Sequence, residues 1–209
     1  MAENGGFGVF PADDIKIPQK AETLLIDINN HPNSGIVERY KRLNLSMRVG
    51  DNIKNYLLSN NFIETKELIT KSGKIVLVGL TEKGLSYLRK MGIKTPDHKN
   101  GIEHKYWKYK IAKYYMDKGY KVVIEKPING NADIVVTNDN KLIAIEIETG
   151  KSYAIKNIQK DLEHGFDMVI SIGVNNKVTD KIKKDLINSY LDKNEKVKVV
   201  SAVSFDSNL

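Results

Sequence analysis

Residues 131–152, NADIVVTNDNKLIAIEIETGKS, leave this chain few ways to fold. Ile134, Val135 and Val136 form a short β-branched run. Asn138, Asp139 and Asn140 have turn composition, and residues 142–147 form a second run. This is the pattern of a β-hairpin. Strand side chains alternate between faces, so Asp133, Val135 and Thr137 share one face of the first strand. Ala144, Glu146 and Glu148 share one face of the second. If Asp139 and Asn140 are a two-residue turn, Asn138 pairs with Lys141, Val135 with Ala144, Ile134 with Ile145, and Asp133 with Glu146. Directly opposite side chains lie on the same face, where like charges repel. Three carboxylates then gather at the open end of one hairpin. Such a cluster is unfavourable unless it is solvated or a cation neutralises it. Oxygen-only donors favour a hard divalent ion, Mg²⁺ or Mn²⁺.

A strand Asp, a hairpin, and an acidic-x-acidic strand followed by a helix resemble the PD-(D/E)xK nuclease superfamily, over roughly residues 101–203. The first motif is Ala132-Asp133 in place of Pro-Asp, and the second is Glu146-Ile147-Glu148. Glu148 stands where the family usually has its catalytic lysine. Some restriction enzymes of this fold carry glutamate there and remain active. The resemblance implies a metal-dependent endonuclease in which Asp133 and Glu146 hold Mg²⁺, while Glu148 binds a second ion or accepts a proton from water. It also implies that Glu103, in the first turn of the opening helix, assists the metal. Lys151 could then hold the phosphate or the attacking hydroxide, and Asn157 on the following helix could position metal or substrate. Lys160 is expected to meet DNA backbone or solvent. Gly150-Lys151-Ser152 also looks like the end of a P-loop, but Ile145 stands where the full pattern needs glycine, which disfavours an NTPase.

Residues 19–92 have a different rhythm. Leu24, Leu25 and Ile28 have helical spacing, and His31-Pro32 ends that helix. A short helix follows over 36–43, then a third helix to Leu58 capped by Ser46. Strands at 62–70 and 75–80 flank the turn 71–74, and Thr81 caps a last helix. This order resembles a winged helix-turn-helix through LNLSMRVGDNIKNYLLSNNFIE, the KSGK tip and LTEKGLSYL. The resemblance implies DNA contacts from Ser46, Arg48, Asn52 and Asn55 on the recognition helix. Lys66, Lys71 and Lys74 would reach phosphates from the wing.

The expected fold is thus an α+β winged helix followed by an α/β mixed-sheet, restriction-endonuclease-like domain. Its parts are a lead-in (1–18), the winged helix (19–92), a linker (93–101) and the nuclease-like domain (102–209). In the second half a meander is followed by helices that alternate with strands, which implies a mixed sheet flanked by helices.

The net charge is +7 over 209 residues, a balance that suits a polyanionic partner, here DNA. Residues 1–97 hold 14 Lys and Arg against 11 Asp and Glu, a modest +3. Lys105, Lys108, Lys110, Lys113 and Lys118 alternate with aromatic residues on one helix, and a solvated lysine face is the expected reading. There is no cysteine, and neither a signal peptide nor a membrane span is legible, so a cytoplasmic protein is expected. Two rival readings stay open: a non-catalytic DNA-binding regulator on a degenerate nuclease fold, and an interaction subunit. The sequence also leaves open a homodimer and a partner ATPase or transposase.

Overall fold

The computed structural model describes residues 17–70, 73–95, 101–126, 132–139 and 141–205. The expected lead-in (apart from Ile17 and Pro18), most of the linker, Lys71 at the hairpin tip, and Asn140 in the turn lie outside them.

The first half is α1 (Gln19–Asn30), α2 (Ile36–Arg42), α3 (Met47–Ser59), β1 (Ile63–Thr70), β2 (Gly73–Leu80) and α4 (Glu82–Lys90). Leu24, Leu25 and Ile28 of α1 are buried as their spacing predicts, against Leu57 of α3 and Leu85 and Leu88 of α4. Ser46 caps α3, its Oγ accepting from the Val49 N–H at 3.4 Å, and Thr81 caps α4, accepting from the Gly84 N–H at 3.2 Å. Gly84 is where the hairpin meets α4: a Cβ there would come within 2.2 Å of the Phe62 carbonyl oxygen.

The second half is α5 (Ile102–Asp117), β3 (Lys121–Lys126), β4 (Ala132–Asn138), β5 (Lys141–Glu148), α6 (Ala154–Glu163), β6 (Met168–Gly173), α7 (Asn176–Asn188), β7 (Val197–Ser201) and the short α8 (Ala202–Phe205). Its sheet is mixed and five-stranded, in the order β3-β4-β5-β6-β7. The first three strands are antiparallel and the last pairings are parallel. Alternation along β4 and β5 sorts the two faces. Ile134, Val136, Ile145 and Ile147 pack with Trp107 and Ile111 of α5. Val135 and Ala144 pack with Ile158 of α6 and Ile182 and Leu186 of α7. The protein is therefore an α+β fold built on a mixed sheet with helices on both faces.

The β1–β2 hairpin belongs to both cores. Ile63, Val78 and Leu80 are buried with α1 and α4, whereas Leu68 and Leu77 are buried with Trp107. The approach to α5 is close, since a Cβ on Gly79 would sit 2.7 Å from the Ile102 side chain.

Asp27 ties α1 to α2. Its carboxylate accepts from buried Arg39 at 2.9 Å and from Arg42 at 2.6 and 3.0 Å. Burial works to raise its pKa, but the two guanidinium groups outweigh that and hold it below the ordinary carboxylate value. Removing one partner of a buried ion pair strands the other charge. Asp27→Ala is expected to cost about 3–5 kcal/mol of unfolding free energy, measured by chemical denaturation.

Candidate active site

The site is built from the hairpin outward. β4 and β5 hold the register read from the sequence from Asn138 opposite Lys141 through Val135 opposite Ala144 to Ile134 opposite Ile145, but the expected Asp133–Glu146 pair is not part of the ladder. Asp139 turns the chain with a φ of +44°, the left-handed region that a two-residue hairpin turn requires. Past Ile134 the paired ladder ends. There the Asp133 side chain takes over as acceptor: its Oδ2 receives the Ile147 N–H at 2.9 Å. His104 Nε2 of α5 lies 2.9 Å from the same oxygen. A carboxylate can only accept, so the imidazole donates from Nε2.

Glu146 is 4% exposed and points toward α6, where Lys160 Nζ donates to its Oε1 at 3.1 Å. Lys160 Nζ is also 3.3 Å from Oδ1 of Asp161. Asp161 is fully buried. Burial, then the neighbouring Asp133 and Asp161 charges, push the Glu146 carboxyl up to about 9, with Lys160 opposing. Burial works to lower the Lys160 pKa, but Glu146 and Asp161 outweigh it and hold the ammonium above its ordinary value. One ammonium faces two buried carboxyls, and the Glu146 carboxyl keeps its proton at neutral pH.

Asp133 and Glu146 line a cleft of about 700 Å³ with Lys151, Ser152, Asn157 and Lys160. The first turn of α5, including Glu103 and His104, and residues Glu64, Thr65 and Lys66 of β1 complete its walls. The cleft brings together Asp133, Glu146, Lys151, Asn157 and Glu103 of the sequence-predicted site, but not Glu148. The Glu148 side chain is 1% exposed and sits off the cleft, accepting from Asn157 Nδ2 at 3.0 Å and from the Ser152 hydroxyl. Ser152 therefore does not cap α6, whose N-cap is Tyr153. Glu103 pairs with Lys66 at 3.4 Å, and its neighbour His104 is the α5 residue that touches Asp133. Lys160, expected at DNA backbone or solvent, is instead engaged by Glu146. Lys151 is exposed, and Asn157 lines the cleft itself while donating to Glu148. Among the described residues no three His, Asp or Glu side chains converge tightly enough to cage a metal by themselves.

Elsewhere on the chain, Arg48, Asn52 and Asn55 are exposed along α3, with Ser46 at its cap. Lys74 pairs with Glu67 at 2.7 Å. The lysine face expected on α5 is only partly solvated. Lys108 is buried against Glu125, and burial, followed by the nearby Lys108 charge, lowers the pKa of Lys105. No helix among the described residues is long and apolar enough to cross a membrane.

No protein-family model matches the chain, and no curated protein matches it. Among solved structures, the protein of unknown function AF1548 superposes with a TM-score of 0.32 at 15% identity, covering 46% of this chain and 57% of that one. Protein VC1899 from Vibrio cholerae gives a TM-score of 0.34 at 11% identity, covering 90% of this chain and 50% of that one. In both cases the match spans about half of the other protein's length.

The raised Glu146 carboxyl sets a pH dependence. Between its ordinary value of 4.5 and about 9, the folded state holds a proton that the unfolded state has released. Stability that is present below pH 4.5 is therefore lost progressively as pH rises toward 9. Thermal melts from pH 5 to 9 without divalent ions should show the melting temperature falling, and Glu146→Gln should flatten that slope.

Proposed function

We propose that this protein is a metal-dependent DNA endonuclease that hydrolyses phosphodiester bonds in the cleft between β1, α5 and α6. The observation that carries this reading is the meeting of Asp133 from β4 and Glu146 from β5 in one cleft, with Lys160 seated on Glu146. Mg²⁺ needs only one or two carboxylates when substrate phosphate and water complete its shell, so this pair fits it. Asp133 and Glu146 would hold the ion. Asp161, buried with Lys160 Nζ 3.3 Å from its Oδ1, adds a further acid beside the pair. A bound Mg²⁺ or Mn²⁺ supplies acidification of water and polarisation of the phosphate.

The residues of the chain do the rest. His104 and the Ile147 N–H fix the Asp133 carboxylate in one orientation. Lys160 brings an ammonium group to Glu146, the charge that the family resemblance places two residues further along the strand, where Glu148 stands. Lys151 at the mouth offers a second cation for substrate phosphate. The helix–hairpin unit is read as a winged helix whose exposed Arg48, Asn52 and Asn55 face duplex DNA. One observation favours a non-catalytic DNA-binding protein instead: Glu148 is held by Ser152 and Asn157 and does not itself line the cleft, so the acidic motif supplies two acids to it rather than three.

The test is cleavage of duplex, single-stranded and branched DNA with Mg²⁺ or Mn²⁺. Asp133→Ala and Glu146→Ala should abolish cleavage and leave binding intact, and Lys160→Met should slow turnover by about a hundredfold or more. Absence of cleavage on every DNA form would favour the non-catalytic reading. Separately, Arg48→Ala should weaken duplex binding by about 1–3 kcal/mol if it reads a base edge, measured by fluorescence anisotropy at fixed salt.

A further inference from the structure

The cleft around Asp133 and Glu146 has a shape that selects among nucleic acids. Its floor is recessed: the Asp133 side chain is 16% exposed and that of Glu146 6%. Its outer wall is β1, through Glu64, Thr65 and Lys66. That wall is fixed. Leu68 and Leu77 of the hairpin are buried with Trp107, Gly79 lies against Ile102, and Lys66 pairs with Glu103 at 3.4 Å. Widening the cleft would break those contacts. A duplex is a broad rod whose phosphates stand on a convex surface beside a second strand. Its phosphates approach a recessed, walled floor less readily than those of an unpaired strand, which is thin and flexible.

The mouth carries a second feature. Lys151 and Ser152 line the cleft, and the next residue, Tyr153, is 84% exposed. A tyrosine ring left in water forgoes the free energy of burial. Exposed aromatic rings beside cations are the platforms on which unpaired bases stack, without regard to sequence.

We infer that the cleft takes an unpaired DNA strand and that Tyr153 stacks on one of its bases. This rests on the nucleic-acid reading above and narrows the substrate to single strands, including tails that continue from a duplex.

The experiment measures anisotropy of a labelled oligo(dT), a blunt duplex of equal length and a tailed duplex, with Ca²⁺ as the divalent ion. Measured in an Arg48→Ala background, which removes the duplex contact assigned to α3, the single strand and the tailed duplex should bind at least tenfold more tightly than the blunt duplex. Tyr153→Ala should lose about five- to a hundredfold of that affinity. Tyr153→Trp should keep it, as should alanine at Tyr190, which is 91% exposed and whose chain neighbours do not line the cleft. Equal binding of blunt duplex, or a Tyr153→Ala variant as tight as the parent, would overturn the inference. Cleavage of blunt duplex that is indifferent to Tyr153 would overturn it while leaving the nuclease reading intact. Tyr153-dependent strand binding without cleavage under Mg²⁺ or Mn²⁺ would support it and remove the nuclease reading.

Discussion

Two buried carboxyls, Glu146 and Asp161, face one ammonium group, that of Lys160. This imbalance is the constraint around which the second half of the molecule is arranged. Burying an acid is costly unless it is paired or protonated, and a chain selected for stability alone would place apolar side chains at these positions. The sheet holds them there through packing. Alternation along β5 sends Ile145 and Ile147 into the core under α5 and leaves Glu146 no direction but toward α6. Ile158 anchors α6 on the sheet, which fixes where Lys160 and Asp161 fall. The acids are the consequence of a well-packed frame, and a cation that displaced the Glu146 proton would relieve their crowding.

The same frame explains the two roles of α5. Trp107 and Ile111 pin it to the sheet, so its first turn must stand at the end of β4. His104 there orients Asp133, while Ile102 and Glu103 meet the β1–β2 hairpin. One helix thus connects the acid on β4 with the strand that walls the cleft. The hairpin cannot move relative to the acids without disturbing a shared core.

Much of this was legible in the residues. The hairpin register followed from period-2 alternation and one turn, because a slip of one residue would have sent Ile145 and Ile147 to the wrong face. Helix starts at Ser46 and Thr81 were legible because a capping hydroxyl acts locally. What could not be read depended on distant partners. Glu148 shares a face with Glu146, yet Ser152 and Asn157 occupy its carboxylate and it does not line the cleft, and neither bond is visible from strand periodicity. Glu103 and His104 are adjacent, and a step of one residue turns a helical side chain by about 100°. The packing of Trp107 decided which of them met Asp133. Lys160 and Asp161 could have been found by asking which residues of α6 lie near Ile158, the position that had to face the sheet.

The central claim is that acids from two neighbouring strands trap a single hard cation. Mn²⁺ binding followed by electron paramagnetic resonance tests it most directly. The account predicts one saturable ion, lost in Asp133→Asn and in Glu146→Gln and retained in Glu148→Gln. Binding that survives both of the first two substitutions, or no saturable binding in the parent protein, would contradict it.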